Sequence, residues 1–253
     1  MAVAKYLMGA ATLASALALT LVATPALADA LVVRSSGPSA ASYPVGRRLP
    51  ATERVVLRAG DRVTIIGEGP SRTLSGPGNF PVRAANAANS GNASTLGRYL
   101  SATGGTISRT GAVRGAGDGE LPSAPPNLWV VNLAHGGTHC VIDLTNVTLW
   151  RADMRGDTLL TIENASNAEE RAQIAFVAGQ NFRRWPSDAL PIRSGVTYRI
   201  TGAGAGEANS FSFVALGAAP TDAESAANAL ANAGCSAQLA QLGEQLDMTA
   251  SGY

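Results

Sequence analysis

The sequence predicts a mainly β protein: an N-terminal β-meander, a flexible linker, and a C-terminal β-sandwich followed by a short helical hairpin. Short runs rich in β-branched and aromatic residues alternate with polar residues at positions 54–78 and again at 127–218. Gly, Pro, Asn and Asp break these runs every ~8–12 residues, the usual spacing of turns between antiparallel strands. A sustained helical period begins only after position 220.

The first 28 residues are predicted to be a secretory leader. Lys5 supplies a positive start, an apolar stretch without acidic residues follows, and Ala26-Leu27-Ala28 forms a small-residue cleavage site. We therefore expect cleavage after Ala28, a periplasmic or secreted product, and no membrane span after cleavage. The alternative is that this stretch stays in place as an uncleaved membrane anchor.

A first β-unit is predicted at 29–82. Two apolar runs, Val55–Leu57 and Val63–Ile66, lie on either side of the turn Ala59-Gly60-Asp61. Arg62, Thr64 and Ile66 alternate with Val63 and Ile65 along the second run, so one face of the strand can be buried and the other wetted. The third run, Arg72–Leu74, completes a compact antiparallel meander.

Three stretches of this unit, Tyr43–Pro50, Val55–Val63 with its Gly-Asp turn, and Arg72–Gly78 with its Gly-rich end, together resemble the periplasmic β-domain of FecR-like proteins. The resemblance implies a β-module of an envelope system. FecR-like regulators of sigma factors have a cytoplasmic part and a membrane-spanning helix ahead of this domain. We recognise neither, so sigma-factor regulation is not expected.

Residues 83–126 are rich in Ala, Asn, Ser, Gly and Thr and are predicted to form a linker. Leu96, Tyr99 and Leu100 fall on one side of a short helix that opens near Ser94. From 127 to 218 the apolar runs resume, which predicts a sandwich of the general immunoglobulin-like class. Its predicted strands are Leu128–Leu133, Cys140–Ile142, Asn146–Trp150, Leu159–Glu163, Gln173–Val177, Phe182–Trp185, Val196–Thr201 and Ser210–Leu216.

The last part, 219–253, is predicted to be helical. Thr221 and Glu224 have the spacing of a capping box, and Leu239 and Leu242 continue an apolar stripe at helical spacing. We interpret the segment as a helical hairpin packed on the sandwich. The alternative is a helix offered to a partner.

The chain has two cysteines, Cys140 and Cys235. In an oxidising exported compartment an isolated pair favours one disulfide, which would tie the helical segment to a strand. Loop-closure entropy assigns such a crosslink on the order of 4 kcal/mol. The alternative is two buried thiols.

The chain after the leader is electrically balanced: Lys5, the one lysine of the sequence, lies within the leader, and the remaining residues contain 18 arginines and 18 acidic residues. This balance provides no electrostatic footprint for nucleic acid. The Gly-rich run at 202–206 is neither a Walker loop nor a dinucleotide fingerprint, so we expect no cofactor.

Catalytic and metal-binding residue types are sparse. His135 and His139 lie beside Cys140, but Ala134–His139 is predicted to be a loop and lacks further ligands, so no metal site is expected. No nucleophile motif accompanies these histidines. Acidic residues that could pair for hydrolysis fall at strand ends and turns, where Asp is common: Asp143, Asp153, Asp157 and Glu163.

The best candidate for a partner surface is Phe182-Arg183-Arg184-Trp185, joined by Trp150-Arg151 if the two strands are neighbours. Arg and Trp are enriched among interface anchors. The alternative is that Phe182 and Trp185 fill the core or its rim while the arginines are solvated.

These observations predict an exported, non-catalytic binding or accessory protein of the bacterial cell envelope, with an envelope protein or a glycan as its partner. Two alternatives remain open. One is a hydrolase that acts on envelope polymers through acidic residues, and the other is a structural component of a surface layer.

Overall fold

A computed structural model describes residues 29–67, 69–83, 93–101, 124–202 and 209–250. The predicted leader, its cleavage site and most of the predicted linker lie outside these ranges. Within them the predicted fold class is confirmed: strands dominate, they form several sheets, and a pair of helices follows.

The described residues of the N-terminal unit form six strands in two sheets. The four-stranded antiparallel sheet has the order β2-β1-β4-β5, and β3 pairs with β6. Apolar residues of both sheets, among them Val32, Val55 and Ile65, share one buried cluster. A short 3₁₀ turn occupies Ala40–Ser42. The strands are β1 (Ala30–Ser36), β2 (Arg48–Leu49), β3 (Arg54–Leu57), β4 (Arg62–Ile66), β5 (Arg72–Ser75) and β6 (Gly78–Pro81).

The connectivity of this unit differs from the predicted meander. The runs on either side of the turn at 59–61, β3 and β4, do not pair with each other, and the central strand β1 is not among the predicted strands. The turn forms a corner because the buried Asp61 carboxylate accepts hydrogen bonds from the backbone N–H of Ser39, at 2.8 Å, and of Arg58. These bonds direct the chain out of one sheet and into the other.

Eight strands of the sandwich lie within the described ranges. The five-stranded sheet has the order β11-β10-β13-β14-β8, and the three-stranded sheet has the order β12-β9-β7. A core of buried aliphatic and aromatic residues contributed by both sheets lies between them. The strands are β7 (Val131–Asn132), β8 (Gly137–Val141), β9 (Thr148–Trp150), β10 (Thr158–Asn164), β11 (Asn167–Phe176), β12 (Phe182–Arg184), β13 (Thr197–Gly202) and β14 (Asn209–Ala215).

Two strand pairs distinguish this sandwich from the fully antiparallel sheets of the immunoglobulin-like class. Strand β14 pairs with β8 in parallel, and β7 pairs with β9 in parallel. The likeness to that class is therefore limited to the packing of two sheets around one core.

The part of the chain that the structure describes also contains three helices: α1 (Ala93–Leu100), α2 (Ala223–Ala233) and α3 (Ser236–Ala250). The short helix expected near Ser94 is confirmed, and its Tyr99 and Leu100 are buried. The predicted capping box is shifted by one residue. Asp222 is the N-cap of α2, and its carboxylate accepts a hydrogen bond from the Ser225 N–H at 2.8 Å. Gly234, at φ 74°, ends α2 in the left-handed conformation.

The C-terminal helices pack on both β-units, not on the sandwich alone. Leu239, Leu242 and Leu246 of α3 belong to one buried cluster with residues of β1 and β4 and with the segment before β7: Leu31, Val33, Ile66, Leu128 and Trp129. The four-stranded sheet is therefore buried on two faces. The expectation of a wetted face is wrong, because Thr64 and Ile66 are both buried in the folded chain.

Candidate functional site

The structure brings the two halves of the predicted partner surface together. Strands β9 and β12 are antiparallel neighbours, with Phe182 opposite Trp150. However, Trp150 is only 1% exposed and Trp185 only 4% exposed, so neither tryptophan is available to a partner. Their inclusion in the predicted surface is wrong.

Trp185 is a core residue whose polar atom already has a partner. Its indole Nε1–H donates to the Leu190 carbonyl oxygen at 2.6 Å. Its ring meets Tyr198 and Phe213 edge-on, with centroids 5.1 and 5.3 Å away. Such edge-to-face packing accounts for the tryptophan without any ligand.

All three guanidinium nitrogens of Arg151 donate hydrogen bonds to other residues of the chain. Nε donates to the Gln180 carbonyl at 2.9 Å, Nη1 to Thr158 Oγ1 at 2.6 Å, and Nη2 to the Gly156 and Val177 carbonyls at 2.8 and 3.1 Å. Cζ also lies 4.9 Å from the centroid of the Phe176 ring. The residue ties together the chain segments on either side of β10 and β11.

The exposed part of the predicted surface consists of the two arginines of β12. Phe182 is half-buried, whereas Arg183 and Arg184 are exposed. Arg183 Nε donates to the Ala175 carbonyl oxygen of the neighbouring sheet. Arg184 is exposed, as the prediction of a contact residue requires.

The two histidines differ in environment. Strand β8 begins at Gly137, so His139 is in a strand and not in the predicted loop. Its buried ring stacks on Phe211 with centroids 5.4 Å apart, and its Nε2 lies 2.9 Å from the His135 carbonyl oxygen. Burial lowers the pKa of His139 to about 4. Across the described ranges, no cluster of three or more His, Cys, Asp or Glu residues could hold a metal ion.

The four acids considered for hydrolysis each stabilise a local feature. Asp143 accepts hydrogen bonds from the backbone and hydroxyl of Thr145, and these bonds lower its pKa. The Asp153 pKa is lowered to about 2, principally by its hydrogen bonds from Arg155. Asp157 accepts from the Ala178 N–H, and Glu163 pairs with Arg199. Turn chemistry and ion pairing thus account for these four residues.

Cys140 and Cys235 form the disulfide that the sequence predicts, and both residues are fully buried. The bond joins β8 to the junction between α2 and α3. It contributes to the fold rather than to an exposed site.

One broad surface of the sandwich was missed by the sequence analysis. Helix α3 packs over β8, at one end of the five-stranded sheet, whereas the outward side chains of β10, β11 and β13 are exposed or half-exposed. We call this set, together with the exposed Val177 that follows β11, the open face; it consists of Leu159, Thr161, Glu163, Arg171, Gln173, Ala175, Val177, Arg199 and Thr201.

The strand register arranges the open face from an apolar end to an ionic end. The cross-strand rows are Leu159–Ala175, Gln173–Thr161–Thr201 and Arg171–Glu163–Arg199. At the apolar end, Leu159 is 54% exposed and Val177 46% exposed. At the ionic end, Arg199 Nη1 lies 3.0 Å from Glu163 Oε1. A partly exposed ion pair of this kind adds only a modest amount of stability, about 1 kcal/mol or less.

A signal for the apolar end was present in the sequence. Leu159 and Leu160 are consecutive in a strand, and consecutive side chains point to opposite faces. One of the two leucines therefore had to lie on the outer face. Composition alone does not reveal which one, because that depends on which face of the sheet the second sheet covers.

Comparisons of the chain with protein-family models, curated proteins and solved structures found no match. The resemblance of the N-terminal unit to FecR-like domains therefore stays a prediction. Among the helices that the structure describes, none has both the length and the apolar character needed to cross a membrane.

Proposed function

We propose that this protein is an exported, non-catalytic binding or accessory component of the bacterial cell envelope, acting in a sensing or assembly system. In this proposal the open face is the contact surface. The predicted leader and the buried disulfide are compatible with an oxidising exported compartment. The resemblance of the first β-unit to FecR-like modules supports a role in a system of the cell envelope.

The observation that carries the proposal is the exposed apolar end of the open face. Single exposed apolar residues are ordinary on protein surfaces. Here, however, Leu159 and Ala175 are direct cross-strand neighbours, and the exposed Val177 follows two residues after Ala175, just beyond the end of β11. A contiguous apolar group beside polar and charged rows has the composition of an interface, with an apolar centre and a polar rim.

A protein partner fits this face better than a glycan. Sugar rings bind β-sheet faces through stacking on exposed aromatic rings. The open face carries no aromatic residue, and both Trp150 and Trp185 are buried. We therefore choose an envelope protein as the partner.

In vivo photo-crosslinking tests this choice. A photoreactive amino acid in place of Leu159 is expected to capture a discrete protein, because the side chain lies at the apolar end of the face. Val56, which is 57% exposed on β3, is the matched control, since it is an equally exposed apolar residue on the other β-unit. Capture at both positions alike, or at Val56 only, would contradict a contact through the open face. Capture of wall polymer at position 159 would contradict a protein partner and would indicate a glycan.

A charge placed at the apolar end should weaken the contact without unfolding the protein. We expect Leu159→Glu to reduce capture from a photoreactive residue at Val177 by at least tenfold, about 1.4 kcal/mol of binding free energy. The melting temperature should change little, because substitutions at exposed positions cost about 0.5 kcal/mol or less. Unchanged capture by the folded variant would argue against the face.

A further inference from the structure

Helix α3 is attached to the two β-units by different chemistry at its two ends. At its start, Cys235 is bonded to Cys140, and Gln238 holds the same strand. Gln238 Oε1 accepts from the Cys140 N–H at 2.7 Å, and its Nε2 donates to the carbonyl oxygens of Leu128 at 2.7 Å and Cys140 at 2.8 Å. The first turn of α3 is thereby fixed to the sandwich.

The far end of α3 is attached to the N-terminal unit. The buried Asp247 carboxylate accepts hydrogen bonds from the hydroxyls of Thr64 and of Thr73, the latter at 2.7 Å. Its second oxygen lies 3.3 Å from Arg34 Nη1. These three partners come from β4, β5 and β1, so one side chain joins three strands of the same sheet.

The helices are also the main physical link between the two units. In the described part of the chain, β1 packs extensively on α3 and also on α2, while strands of one unit touch strands of the other sparsely at most. The central residues of α3 fill the shared apolar cluster between β1 and the segment before β7. The bonds that fix α3 on the sandwich therefore also fix the position of the N-terminal unit.

We propose that α3 is an oxidation-dependent clasp: formation of the Cys140–Cys235 bond fixes the helix on the sandwich and thereby holds the N-terminal β-unit in place. The bond removes freedom from the undocked helix, which raises its effective concentration at the docking site. Without the bond, the β1 and β4 residues Leu31, Val33 and Ile66 lose their cover more often.

The chemistry of the clasp is thiol–disulfide exchange. Closing forms one S–S bond and passes two electrons and two protons to a disulfide-bearing oxidant, which leaves as a dithiol. Opening is the reverse reaction with a dithiol reductant. Because both cysteines are fully buried in the closed state, α3 must lift before a reductant can reach the bond. The clasp thus closes in oxidising surroundings and resists reduction afterwards.

Amide hydrogen exchange tests the clasp. The oxidised protein is compared with the same chain refolded in a dithiol, which keeps every side chain and lacks only the bond. Amides of β1 and β4 are expected to exchange at least tenfold faster in the reduced chain, while the inner sandwich strands β10 and β13 keep their protection. The Cys140→Ala/Cys235→Ala double variant should behave in the same way.

Two outcomes would overturn the proposal. Unchanged protection of β1 in the reduced chain would make the disulfide a local staple. Equal loss of protection in β10 and β13, including a reduced chain that does not fold, would make the two units one cooperative body without a clasp. A second variant tests the far end: Asp247→Ala in the oxidised protein should speed exchange in β1 and leave β8 unchanged, and an unchanged β1 would contradict that attachment.

Discussion

Replacing Gly243 with alanine is expected to destabilise the protein by about 2 kcal/mol, although alanine is the better helix former. Gly243 lies where α3 packs closely on the backbone of β1. A Cβ added there would be 2.4 Å from the Val33 carbonyl oxygen and 2.7 Å from the Val33 carbonyl carbon. These are backbone atoms, so the methyl group can be accommodated only if the helix and the strand move apart. Helix propensity favours alanine by about 1 kcal/mol, and the steric cost exceeds it.

Gly97 in α1 provides the matched control for this substitution. It is also a helical glycine, and a Cβ added there would have no neighbour within 4 Å. Gly97→Ala should therefore be neutral or should stabilise the protein by up to about 1 kcal/mol. Urea unfolding of both variants measures the two free energies. A Gly243→Ala variant as stable as Gly97→Ala would show that α3 does not approach β1 this closely.

Acid should destabilise the protein through His139 by about 3 kcal/mol between pH 6.5 and pH 4. Burial of the ring lowers the pKa of His139 to about 4 in the folded chain, whereas an exposed histidine titrates near ~6.5. The unfolded chain therefore binds the proton first as the pH falls. The contribution of His139 is fully present above about pH 6.5 and is lost as the pH falls through the folded pKa.

Comparison of two glutamine variants separates this effect from the titration of acidic residues. His139→Gln removes the titrating group, so the free energy of unfolding of the variant should vary less with pH than that of the wild type over this interval. His135→Gln is the control: its side chain is exposed, and the carbonyl oxygen near His139 is retained. A His139→Gln curve parallel to the wild-type curve would contradict a buried neutral His139.

The candidate surface was predicted only in part, because the sequence identifies residue types and not the side of a sheet that stays open. The sequence left open whether the strands of Trp150 and Phe182 are neighbours, and the register shows that they are. The exposure of the tryptophans did not follow, since an aromatic residue in a short strand suits a core and an interface equally. The open face is defined by the tertiary structure, because the three-stranded sheet covers only the opposite side of the five-stranded sheet.

Local pattern alone determined the approximate positions of the sandwich strands, the short helix near Ser94, the helical end and the cysteine pair. Each of these depends on periodicity, turn residues or residue type within a few positions. Tertiary structure decided the rest. The corner at Asp61, the central place of β1, the burial of Thr64 and the docking of α3 on both units all depend on contacts between residues far apart in sequence. No local pattern encodes which distant surface will cover a strand, because burial is set by the partner and not by the strand itself.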